Sequence, residues 1–92
     1  MPYDVHEESE LMQLTPIEQW TKIKAEYPDT IIMIRVGDFY EVYGDDATKC
    51  HRILGLTITT RLSGTETLPM AGFPYQFVDA KLSKLIQAGQ RV

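Results

Sequence analysis

The sequence predicts an α/β (α+β) fold, a small mixed β-sheet flanked by helices. Two stretches, 16–27 and 75–88, repeat apolar residues at helical spacing. Between them, 30–43 and 56–61 carry apolar residues in continuous runs or at every second position, the marks of strands. The chain has 92 residues, the size of one small domain, and 43% of them are hydrophobic. Helices interleaved with strands at this length pack as layers over one sheet.

The first helix opens at Thr15-Pro16-Ile17-Glu18. Thr15 suits the cap, Pro16 the first helical position, and Glu18 can reach back to complete a capping box. Ile17, Trp20, Ile23 and Tyr27 then form one apolar stripe, and Pro28 ends the helix near Tyr27. Thr30–Val36 is rich in β-branched residues with Arg35 its only charge, so it predicts a central strand covered on both faces. Gly37-Asp38 is a turn signal, and Phe39–Tyr43 a second strand paired with the first.

Asp45 or Asp46 is placed to cap a short helix over 47–54, with Gly55 closing it. Leu56–Arg61 alternates apolar residues with Thr and predicts a half-buried strand. Leu62–Thr67 reads as an exposed loop, and Pro69 restricts Leu68–Ala71 to an edge strand. In the helix over 75–88, Phe77, Val78, Leu82, Leu85 and Ile86 line one face, and Gly89 ends it. Arg91-Val92 reads as a strand just beginning, so that the chain stops inside an element.

The net charge is −4. Asp4, Glu7, Glu8 and Glu10 stand in the first ten residues without a Lys or Arg, and from residue 11 onward acidic and basic residues balance. Residues 1–14 are therefore expected to be an acidic N-terminal tail, with a short frayed helix over 7–14, ahead of a neutral domain over 15–92. A neutral body lacks the basic footprint of a self-sufficient nucleic-acid module. No apolar run reaches the ~18 residues of a membrane span and no signal peptide opens the chain. With Cys50 as the single cysteine, a cytoplasmic location and no membrane partner are expected.

Phe39-Tyr40-Glu41 is the segment that could carry chemistry. Alternation puts Phe39, Glu41 and Tyr43 on one face of the strand and Tyr40 and Val42 on the other. If Tyr40 and Val42 pack on the core, an aromatic ring and a carboxylate about 7 Å apart face outward together. That pair suits a surface that wedges into a base stack and hydrogen-bonds a base edge. The alternative is a half-buried strand in which Phe39 is core and Glu41 a solvated rim charge, and from alternation alone it is the stronger reading.

Five blocks in order reverse that preference. Ile34-Arg35-Val36-Gly37-Asp38-Phe39-Tyr40-Glu41 resembles the stretch of the MutS family whose Phe-x-Glu reads mismatches. Thr15-Pro16, Tyr27-Pro28-Asp29-Thr30, Asp45-Asp46-Ala47 and Leu68-Pro69-Met70-Ala71-Gly72-Phe73-Pro74-Tyr75 resemble the helix start, strand lead-in, helix start and pre-helix segment of that family's N-terminal mismatch-recognition domain. The resemblance spans about residues 15–92 and implies a non-enzymatic domain that binds double-stranded DNA with mismatches. It implies that Phe39 stacks on the mispaired base from the minor groove and that Glu41 hydrogen-bonds it, the Glu acting in that family while protonated or sharing a proton. Apart from the resemblance, Arg61 and the loop 62–67 are candidates for contact with the DNA backbone, a solvated surface residue being the default reading of Arg61. In the family, other MutS domains clamp DNA and an ATPase signals repair. No phosphate-cradling Gly-x-x-x-x-Gly-Lys-Ser/Thr occurs here, so ATP binding belongs to the full-length family and no cofactor is expected in this chain. Weak DNA binding in isolation is expected, with other MutS domains, or a mobile-element or repair protein, as further partners.

Two rivals remain. Asp38, Glu41, Asp45 and Asp46 are the residue types of a Mg²⁺-dependent nuclease, but no Glu-x-Lys lies on a predicted strand, and cap and turn roles account for the aspartates. His6, Cys50 and His51 lack zinc spacing, so no metal is expected. A stand-alone protein-interaction module with the same fold would instead use the stripe of the last helix, or the sheet edge beyond Val92, to hold a partner.

Overall fold

The computed structural model describes residue 11 and residues 13–92. The expected tail over 1–10, and most of the helix expected over 7–14, lie outside those residues. Among the described residues, three complete α-helices surround a four-stranded sheet: α1 (Pro16–Glu26), β1 (Ile34–Val36), β2 (Phe39–Tyr43), α2 (Gly44–Leu54), β3 (Thr59–Ser63), β4 (Glu66–Pro74), a 3₁₀ turn (Tyr75–Phe77) and α3 (Val78–Gln87). The predicted α/β class is the one observed. Within the sheet, ordered β1-β2-β4-β3, every pairing is antiparallel. The one isolated bridge among the described residues is parallel and joins Thr30 to Arg91.

The capping box of α1 forms as the sequence predicts. Thr15 Oγ1 accepts from the Glu18 N–H at 3.2 Å, and Glu18 Oε1 accepts from the Thr15 N–H at 3.0 Å. The helix stops at Glu26, one residue before the expected end. Gly37, with φ +57°, makes the two-residue hairpin between β1 and β2 possible, because that backbone conformation is strained for any side chain bearing a Cβ.

Two packed layers hold the sheet. On one face Val42 and Ala71 meet Ala47 and Cys50 of α2 and Leu85 of α3, with Ile31 in the same cluster. On the other, Tyr43, Ile32 and Ile34 meet Ile17 of α1, flanked by Trp20, Ile23 and Met70. The run from Ile31 to Ile34 divides its side chains between the two layers. It is buried on both faces as predicted, yet only Ile34–Val36 forms a ladder, and β1 lies at the sheet edge rather than the centre.

Other expectations are corrected. Pro69 does not confine its strand to an edge, because β4 runs nine residues between β2 and β3. Pro69 pairs with Thr60 of β3, and β2 has already ended opposite Met70, so the ladder is interior only where Pro69 is not. The predicted loop 62–67 is a hairpin whose strands extend to Ser63 and from Glu66. β3 is mostly exposed rather than half-buried, since neither core layer includes any of its residues. The last helix begins as a 3₁₀ turn, which turns Phe77 out of the stripe. Phe77 and Ile86 are exposed, Val78 and Leu82 half-buried, and Leu85 buried.

Neither Asp45 nor Asp46 caps α2. The helix begins at Gly44, Tyr43 occupies the cap position without a side-chain cap bond, and Asp46 is fully buried. Its carboxylate accepts from Trp20 Nε1 at 2.9 Å, Lys24 Nζ at 2.8 Å and the Ile32 N–H at 3.0 Å. Three donors, one of them charged, compensate a carboxylate that would otherwise be costly to bury. Through them α2 holds both α1 and the segment leading into β1.

Candidate nucleic-acid interface

Strand β2 changes environment along its length. Tyr43, at one end, is sealed beneath α1, its ring 6.3 Å from that of Trp20 in an edge-on arrangement. Phe39, at the other end and on the same face, lies beyond the reach of α1 and is 45% exposed. Glu41 stands between them, its side chain 12% exposed. On the opposite face, Val42 is buried and Tyr40 half-buried, Tyr40 packing against Phe73 of β4 with ring centres 6.0 Å apart. Alternation therefore separates the faces as the sequence predicts. What the spacing did not carry is that one face grades from core to surface within five residues.

The hairpin tip next to Phe39 is tied down. The carbonyl of Asp38 accepts from the Tyr75 N–H at 2.8 Å. The Arg35 guanidinium lies over the Tyr75 ring at 4.0 Å and over the Tyr40 ring at 5.8 Å.

Glu41 has two differently engaged oxygens. Oε1 accepts a hydrogen bond from the Tyr43 hydroxyl. Oε2 faces Arg61 Nη2 at 3.8 Å, a loose ion pair whose arginine side chain is 46% exposed. Burial, and then the hydrogen bond to Glu41, push the Tyr43 phenol well above its ordinary range, so that it stays protonated and donating. Arg61 sits within β3, in a strand as the sequence predicts, and the structure brings it to Glu41 across β4.

Gly72 of β4 pairs with Glu41 and opens the space beside it. A Cβ there would lie 3.5 Å from Glu41 Cγ, 3.6 Å from Phe39 Cδ2 and 3.0 Å from the Tyr40 carbonyl oxygen. Phe39, Glu41, Thr57, Thr59, Met70 and Gly72 line the resulting cleft. Tyr43 and Gly72 are the site residues that sequence reasoning passed over. The signal for Tyr43 was its place two residues after Glu41; for Gly72 nothing short of the β2–β4 register would have served.

The acidic residues do not converge. Asp46 is enclosed by its three donors, while Asp38 and Asp45 are exposed. Among the described residues, no three His, Cys, Asp or Glu side chains are grouped to hold a metal ion. Cys50 is buried, and burial followed by the charge of Asp46 pushes its thiol up to about 11, far from a reactive thiolate.

Fold and site together define a small α/β module that presents an exposed aromatic side chain beside a held carboxylate on one strand. The model of the family described as MutS domain I matches residues 15–92, and the chain belongs to that family. Relatives called DNA mismatch repair protein MutS include those of Christiangramia forsetii, 47% identical over 81 residues, and Flavobacterium psychrophilum, 44% over 84. That of Methanothrix thermoacetophila is 42% identical over 85 residues. These alignments cover 87%, 90% and 89% of this chain but only 9%, 10% and 10% of the relatives, so the chain spans about a tenth of their length. No helix among the described residues is long and apolar enough to cross a membrane.

Proposed function

We propose that this domain recognises mispaired duplex DNA, as part of mismatch repair, by stacking Phe39 on the mispaired base from the minor groove while Glu41 hydrogen-bonds it. The observation that carries this reading is the exposure of Phe39 next to a partly accessible Glu41, on a face whose remaining β2 residue, Tyr43, is buried. A mispair stacks weakly and bends cheaply, so inserting a wedge costs less there than in matched duplex. The domain binds rather than catalyses and needs no cofactor of its own. Arg61 is free to leave Glu41 for a phosphate, because a pair so exposed is weak.

Clamping of DNA and any ATP-driven signalling belong to other MutS domains in this reading, and the cytoplasm is where it acts. Binding by the chain alone is weak, because a net charge of −4 neutralises few phosphates. The test is fluorescence anisotropy with matched and single-mismatch duplexes, with and without Mg²⁺. Dissociation constants at or above roughly 10⁻⁴ M are expected at physiological salt, tightening as salt is lowered. Mismatched duplex should bind more tightly than matched, and Phe39→Ala should erase the difference. Equal binding of both duplexes at low salt would overturn the reading. Mg²⁺-dependent cleavage that Asp38→Asn or Asp45→Asn abolishes would replace it with a nuclease.

A further inference from the structure

We propose that Tyr43 is a positioning residue that dedicates one oxygen of Glu41 to the protein and leaves the other for the DNA. The inference rests on the mismatch-reading role of Glu41 and concerns how that carboxyl group is aimed.

Tyr43 is fully buried, and its ring is fixed by the Trp20 edge and by a strand paired with β1 at Ile34–Val36 and with β4 at Met70–Pro74. Its hydroxyl can therefore offer Glu41 one direction only, and it offers a proton to Oε1. An oxygen held as the acceptor of a buried phenol is not the one that meets an incoming base. Oε2 is the oxygen on the open side, opposed only by the loose contact with Arg61 at 3.8 Å. Whether a base edge asks Glu41 for an acceptor or for a proton, the exchange takes place at Oε2. Gly72 keeps the approach clear, since a side chain at that position would reach to 3.5 Å from Glu41 Cγ. Without the Tyr43 hydroxyl, the carboxyl group would be free to rotate about its last bond and to turn either oxygen toward Arg61. Part of its discrimination would then be lost while the wedge remained.

A double-mutant cycle on this chain tests the proposal. Tyr43→Phe keeps the buried ring and removes only the hydroxyl. The ratio of mismatched to matched duplex affinity is measured by anisotropy at low salt for the parent chain, Tyr43→Phe, Glu41→Ala and the double variant, and urea unfolding shows that each is folded. Tyr43→Phe should lower the ratio roughly three- to tenfold, the worth of about one net hydrogen bond, with matched-duplex affinity unchanged. In the Glu41→Ala background the same substitution should change the ratio by less than a factor of about two, the scatter of independent sites. A Tyr43→Phe ratio equal to that of the parent, or an equal loss with Glu41 present and absent, overturns the positioning role. Phe39→Ala separates the two levels of the argument. If it erases a preference that Tyr43→Phe leaves intact, the positioning role fails and mismatch reading stands. If the parent chain shows no preference, mismatch reading fails and the positioning role falls with it.

Discussion

Gly72 lies diagonally across the β2–β4 ladder from Phe39, near enough that a single added carbon on Gly72 would stand 3.6 Å from the phenylalanine ring. The same carbon would be 3.0 Å from the Tyr40 carbonyl oxygen, which is backbone and cannot swing aside. Gly72→Ala should therefore displace β2 slightly and destabilise the domain by about 1–2 kcal/mol, within the range for overpacked sites. Urea unfolding measures the cost. A variant as stable as the parent would mean that the two strands separate without strain.

Phe39 and Tyr43 share a face but should respond oppositely to truncation. Phe39→Ala should cost about 1 kcal/mol or less, because much of its ring is already in water. Tyr43→Ala should cost about 3–5 kcal/mol, as for other emptied aromatic sites, and that is enough to unfold a small domain. A loss of 3 kcal/mol or more at Phe39 would place that ring in the core and remove the basis for the wedge.

Asp46→Ala strips an acceptor from Trp20, Lys24 and Ile32 together. Lys24 retains the Thr30 carbonyl at 2.7 Å, so the penalty should fall near the low end for a broken buried pair, about 3 kcal/mol. Asp46→Asn, which keeps an acceptor, should lose less. Both are read by denaturation, with the lone Trp20 as the fluorescent reporter. Equal stability in all three proteins would show that α1 is held by its apolar contacts alone.

Alkaline pH should weaken the fold. The Cys50 thiol is raised from 9.0 to about 11 in the folded chain, and the Tyr43 phenol is raised as well. An unfolded chain releases the Cys50 proton near pH 9, whereas the folded one keeps it to about pH 11. The stability linked to that proton is therefore fully present below pH 9 and is lost as pH rises through 11. Unfolding at pH 8 and pH 10.5 should show the decline, and Cys50→Ala should make it shallower. In native protein at pH 8, Cys50 should resist thiol reagents that react at once in urea.

How much the sequence disclosed depended on whether the decisive contacts were local. The cap of α1 needs only residues 15–18, and the faces of β2 need only alternation, so both were legible. The true role of Asp46 was not, because its donors lie 14 to 26 residues away in the chain. The same holds for Pro69, whose tolerance depends on where β2 stops, and for Gly72, whose neighbours come from another strand. Phe39 and Glu41 stood out by residue type. The partners of Glu41 divide along the same line: Tyr43 was within the alternation pattern, whereas Arg61 comes from β3 and is brought near only by the sheet order.

The bond from the Tyr75 N–H to the Asp38 carbonyl has a consequence in time. It joins the hairpin tip to the start of the 3₁₀ turn, so the loop beside Phe39 is held before any ligand is bound. Such a tip does not search among shapes before engaging; its ordering is completed when the chain folds. On the proposed mismatch-reading role, the waiting is left to the DNA, and the rate at which Phe39 enters a step should follow how often that step opens on its own.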